Sequence, residues 1–142
     1  MINEGEGFLS IISDNSMRAC LATAQGTQPY VRHVTVIRGE DFILWVATAR
    51  SSRKVRQIQE NPSVALSFAD PGGRRTATVL GRAEVVDDPG ARLLVWQWSP
   101  VDLSRLFPAG PEAEPFCALR IVPDLIEWRE GPELPLRSYS PA

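Results

Sequence analysis

The chain has 142 residues, 44% hydrophobic and 23% charged, which suits one soluble globular domain, 1–142, with a core of its own. A net charge of -2 argues against a general nucleic-acid binder, and the longest apolar run, residues 42–47, is far too short to span a membrane. The acidic opening MINEGEG lacks the basic-then-apolar layout of a secretion leader, so Cys20 and Cys117 are expected as reduced core cysteines of a cytoplasmic protein.

In chain order, apolar residues at Phe8, Leu9, Ile11 and Ile12 predict a short helix over 8–15. Residues 17–24 read as a strand, closed by the turn signal QGTQP. The β-branched stretch 30–38 reads as a second strand, and after a tight turn at 39–41 the apolar stretch 42–48 reads as a third. Ser51 and Ser52 are good cap residues for a helix over 52–60, which Asn61-Pro62 stops. Strands follow at 63–70 and 74–86, and Gly81 inside the second predicts a bulge or a close backbone approach. Asp87 and Asp88 cap a helix with Ala91, Leu94, Val95 and Trp98 on one stripe. A Pro-rich loop covers 99–115, a strand bent at Pro123 covers 116–129, and the last residues look irregular. About six strands joined by short turns favour a mainly β fold, an antiparallel barrel, over a parallel doubly wound sheet; a βαβ unit at 42–70 is the local alternative.

Chemistry concentrates at ATARSSRK, residues 47–54. Arg53 and Lys54 fall in the first turn of the helix, where the partial positive charge of the helix end favours anions. Lys54 is also the only lysine among 15 Lys+Arg. Strand alternation puts Arg32 on an apolar face with Val34 and Val36, where a cation needs a partner. If strands 30–38 and 41–48 form a hairpin, Arg32, Thr48, Ser52, Arg53 and Lys54 converge. Hydroxyls, backbone N–H groups and cations in that combination make a phosphate cradle. Elsewhere the signal is weaker. His33 is the only histidine, which removes any multi-histidine metal site, and it reads as an exposed strand residue. Arg74 and Arg75 after PGG read as a solvated turn.

The segments GTQPYVRHVTVI and FILWVATARSSRKVRQIQENPSVALSF, with the T-x-x-x-S-R-K pattern at 48–54 and the VLGRAEVV strand at 79–86, resemble the pyridoxamine 5'-phosphate oxidase-like superfamily of FMN-binding split barrels, in its general-stress-protein branch. The resemblance runs over roughly residues 17 to 128 and implies a six-stranded antiparallel split barrel that binds FMN. It implies that Arg32, Arg53 and Lys54 hold the FMN phosphate, with Ser52 beside them. Val34, Ala47, Thr48 and Thr76, the last where the oxidases have glutamine, would also contact the cofactor. It further implies a homodimer with FMN at the subunit interface and a partner aromatic, Trp98 or else Trp96 or Phe107, over the ring. Ile37 stands where the oxidases usually have a lysine, and no Arg-x-His substrate segment follows in this chain. The expected function is therefore a flavin-dependent oxidoreductase of unknown substrate. The alternatives are a non-catalytic flavin-binding stress or redox-sensing protein, a dimer that has lost the cofactor, or a split barrel using a deazaflavin or haem-related ligand.

Overall fold

The computed structural model describes residues 4–141, with side chains from residue 7 onward; of the acidic opening, residues 1–3 lie outside the described residues. Among the described residues, eight strands form one sheet, every pair antiparallel. They are β1 (Ala19–Gln25), β2 (Gln28–Val34), β3 (Ile37–Arg38), β4 (Leu44–Ala49), β5 (Ser63–Ala69), β6 (Thr76–Val86), β7 (Phe116–Arg129) and β8 (Arg137–Tyr139). The helices are α1 (Glu4–Asp14), α2 (Arg53–Glu60) and α3 (Pro89–Trp98). The sheet order is β2-β1-β5-β6-β7-β4-β3, with β8 added on β7. β4 and β5 flank α2 in sequence but are not neighbours in the sheet, so the local βαβ alternative is set aside.

The predicted strand 30–38 is broken at Thr35 and Val36, and this break defines the architecture. β2 ends one side of the sheet path and β3 ends the other, yet only Thr35 and Val36 lie between them. Two extended residues reach roughly 7 Å. The sheet must therefore curl until its two ends meet, which makes a barrel with a split between β2 and β3. Val36 is pinned at the split by donating its N–H to the Ser16 carbonyl at 2.7 Å. The predicted hairpin of 30–38 with 41–48 survives only as Ile37↔Trp45 and Arg38↔Leu44; β2 pairs with β1 instead.

Period-two alternation fills the barrel. On β5, Val64, Leu66 and Phe68 are buried while Ser63, Ser67 and Ala69 face out. α1 adds Phe8, Ile11 and Ile12, with Phe8 packed edge-on against Trp128 at 5.2 Å between ring centroids. Val55 and Ile58 of α2 seal another side. A second apolar cluster, with Val95, Leu103, Phe107 and Phe116, joins α3 and the loop after it to the outer face of β4 and β7.

Several local expectations need correcting. Phe42 is not in a strand. It sits in the turn at φ 68, after Asp41 at φ 51, and its ring packs on Phe8 and Tyr139 at 5.7 Å each. Packing holds a bulky residue in the left-handed region it rarely adopts. On α3 only Val95 of the expected stripe is buried, and Trp98 is 44% exposed, because the helix lies on the sheet by one edge. The tail supplies β8 on the free edge of β7. Cys117 is buried but Cys20 is half-exposed on the outer face of β1. The bulge expected at Gly81 is present, as a register shift between Leu80 and Gly81 opposite Pro123. A Cβ at Gly81 would overlap the Val122 carbonyl.

Candidate functional site

The split creates a cleft of about 390 Å³, within the size range of small-molecule sites. One wall is the β2–β3 junction, with His33, Val34, Thr35 and Ile37. The floor is β4, from Val46 to Ala49, with Lys54 of α2 at its end. The roof is the loop after α3, with Val101, Leu103, Leu106 and Phe107. The middle of the cleft is apolar and its α2 end is cationic.

That end is built by short-range geometry. β4 stops at Ala49, the chain turns through Ser51, and Ser52 takes the N-cap position of α2. The expected cap does not form: no side-chain hydrogen bond closes the helix start, because the Ser52 hydroxyl lies 3.4 Å from the Thr48 hydroxyl instead. Thr48, 5% exposed, accepts a hydrogen bond from Lys54 Nζ at 2.7 Å. Lys54 is thereby turned back across the helix start into the cleft. Arg53 points the other way, its guanidinium 5.3 Å from the Tyr30 ring centroid.

Arg32 reaches this corner across the split, although its strand does not pair with β4. Its guanidinium donates to the Leu21 carbonyl at 3.1 Å, the Thr23 hydroxyl at 2.8 Å and Gln57 Oε1 at 3.0 Å. Thr23 also donates to Gln57 Oε1 at 2.6 Å, and Gln57 donates to Gln25 at 3.3 Å. These are neutral partners. They satisfy hydrogen bonds and leave the charge uncompensated.

Among the described residues, neither Arg32, Arg53 nor Lys54 forms an ion pair. Nearby Arg50 is different: it is paired with Asp87 at 2.6 Å and stays out of the corner. Burial, and then the repulsion of Arg53, lowers the affinity of Arg32 for its proton. Burial, and then the nearby Arg32, pulls the Lys54 ammonium below its ordinary value. Cations that destabilise one another without a carboxylate between them make a ready anion site.

The predicted site residues thus fall into three groups. Thr48, Lys54, Val34 and Ala47 line the cleft. Ser52 and Arg32 stand directly behind them, while Arg53, exposed, flanks the corner from the Tyr30 side. Thr76 and Trp98 are not brought there. Thr76 opens β6 opposite Arg129, whereas the residue beside Thr48 in β7 is Cys117, at the other end of that strand. Trp98 lines two shallower clefts on the α3 side. Gln57 was not anticipated; a buried glutamine with helical spacing from Lys54 carries no charge signal. The roof residues Val101, Leu103 and Leu106 were equally hidden, because a Pro-rich loop does not announce what it covers. Among the described residues, no group of histidine, cysteine or carboxylate side chains is arranged to hold a metal ion. No helix of the described residues is long and apolar enough to cross a membrane.

Several solved structures share this fold. General Stress Protein 26 from Bacillus anthracis str. Sterne superposes with a TM-score of 0.79 at 23% identity, over 95% of this chain and 96% of that one. A pyridoxamine 5'-phosphate oxidase-related, FMN binding protein from Nostoc punctiforme PCC 73102 gives 0.71 at 18% identity, over 99% and 98%. A heme binding protein from Mycobacterium smegmatis gives 0.73 at 15% identity, over 92% of this chain and 55% of that one. A search among curated proteins finds no match. The sequence model of pyridoxamine 5'-phosphate oxidase matches residues 10–128, most of the chain and all of the cleft described above, and the protein belongs to that family.

Proposed function

We propose that this protein binds FMN in the cleft at the split and acts as a flavin-dependent oxidoreductase, with a homodimer as its working form. The observation that carries the reading is the cationic corner: Lys54 in the cleft, Arg32 behind it and Arg53 on the far side of Arg32 have no ion-pair partner among the described residues, beside a helix start that no side chain caps. A phosphate dianion answers each of those features. It would neutralise the cations, could accept from the hydroxyls of Thr48 and Ser52, and would suit the helix terminus. The apolar middle of the cleft, lined by Ala47 and the roof loop, would take the flat ring and exclude water from it.

When bound, FMN would supply the hydride and electron chemistry. The chain's own residues would anchor the phosphate and orient the ring. No side chain has to act as general acid or base, which agrees with a cleft whose titratable groups are Lys54 and the exposed His33. In a dimer, a second copy would be the source of any contact from Thr76 or Trp98. His33 in the cleft wall is the feature that favours a haem-related ligand as the second reading.

Reconstitution decides between them. The purified protein is titrated with FMN and with haem, and the absorption spectrum of the retained ligand is recorded after desalting. Retention of FMN at one per chain is expected. Failure to retain it overturns the reading, and a Soret band with no flavin bands selects haem. Bleaching of the bound flavin by NADH or NADPH separates a reductase from a passive flavin binder.

A further inference from the structure

Lys54 combines three properties that chemistry seldom places together. It lines a cleft open to small molecules. It is fixed by one hydrogen bond, to the Thr48 hydroxyl at 2.7 Å. The cation that acts on it is Arg32 from β2, which Arg53 in turn repels, and the Cys117 thiol of β7 is near enough to interact with it. No carboxylate among the described residues pairs with it. It is also the only lysine of the chain.

We propose that this corner binds acyl phosphates and that Lys54 is the residue they acylate, so that acylation switches anion binding off. The phosphate of a small acyl phosphate would be held by Arg32 and Arg53, leaving the carbonyl carbon next to Lys54 Nζ. In the step, the lone pair of the neutral amine attacks that carbon and a C–N bond forms. The C–O bond to phosphorus breaks, inorganic phosphate leaves with the bonding pair, and the surplus amine proton passes to water. No oxidant or reductant is needed. The lowered proton affinity of Lys54, set by burial and then by Arg32, increases the share of neutral amine. The product amide has no charge, so the corner loses one of its cations. This proposal rests on the same phosphate cradle as the FMN reading, without needing FMN as its occupant.

The test uses the full chain without cofactor, exposed to acetyl phosphate and mapped by peptide mass. The chain's own α-amine is the internal reference. Lys54 is expected to acylate faster than the α-amine by at least about fivefold, through proximity. Inorganic phosphate and Arg53→Ala should each reduce that ratio, and Arg53 is exposed, so its loss leaves the fold intact. A phosphate-free thioester should show no preference for Lys54. Equal rates at the two amines, or a preference untouched by phosphate and by Arg53→Ala, would overturn the proposal. Lys54→Arg keeps the charge and should abolish the modification while retaining anion binding. Saturating FMN separates the two ideas: protection of Lys54 supports both, and acylation undiminished by FMN counts against the FMN reading alone.

Discussion

At the scale of single residues, the sole lysine and the arginine before it sit in a helix turn that an isolated helix would give to acids. The unfavourable placement makes sense as one half of an interaction whose other half is an anion. Arg53→Ala combined with Lys54→Ala is expected to weaken FMN binding at least about tenfold, since each charge-assisted contact is worth ~1.5–3 kcal/mol. Fluorescence titration checks this, with Arg56→Ala as the comparison, because Arg56 spends its contact on the Ser51 carbonyl. Gln57 provides a sharper test. It is 2% exposed and holds Arg32 by a neutral oxygen at 3.0 Å. Gln57→Glu puts a carboxylate at that point and compensates Arg32 inside the protein. The expected outcome is a folded variant whose FMN affinity falls although no cation has been removed. Unchanged affinity would show that Arg32 takes no part in anion binding. Legibility differed among these residues: Arg53 and Lys54 were visible as a charge anomaly, while Gln57 was not, since only the approach of α2 to β1 and β2 gives it partners.

At the scale of elements, the turn between β5 and β6 shows how tertiary contact changes the meaning of a charge. Arg74 is the solvated residue expected there, at 68% side-chain exposure. Arg75 instead bridges Asp70 at 2.6 Å and Asp14 of α1 at 2.8 Å, and Asn15 also donates to Asp70 at 2.8 Å. The turn thus fastens α1 to the barrel. The hydrogen bond from Arg75, then that from Asn15, lowers the Asp70 carboxyl from 3.8 to about 2. A carboxyl depressed on folding contributes stability that is complete above 3.8 and fades as the pH falls towards about 2. Asp70→Asn is therefore expected to be less stable than the parent at neutral pH, with the difference shrinking across that acid window. Urea midpoints measured at several pH values would check it, and a gap independent of pH would assign the loss to packing. From sequence, Arg75 reads with Arg74 as part of a solvated turn, because nothing local says that α1 returns to this turn.

At the scale of the whole molecule, a barrel closed through Thr35 and Val36 leaves a cleft that opens to solvent at the split. Val31 and Leu106 are large apolar side chains left exposed, at 69% and 70%. A second copy covering that side would complete the roof over the cleft. Light scattering on the FMN-loaded protein is expected to give about 31 kDa, twice the 15.7 kDa of one chain. A loaded monomer would sink the dimer part of the proposal. Most of the strands in their chain order, the two-residue period of their side chains, the Gly81 bulge and the cationic helix start are local consequences of residue type and spacing, so they could be read along the chain; the break at Thr35 and Val36 and the strand β8 could not. Which strand lies beside which could not. Pairing of β2 with β1 rather than β4, the buried Arg32–Thr23–Gln57 contacts, the tie from Arg75 to α1 and the roof supplied by residues 101–107 all join segments distant in sequence. They are settled only when the sheet curls and its two ends meet, because the closing of the barrel sets those distances and no local propensity does.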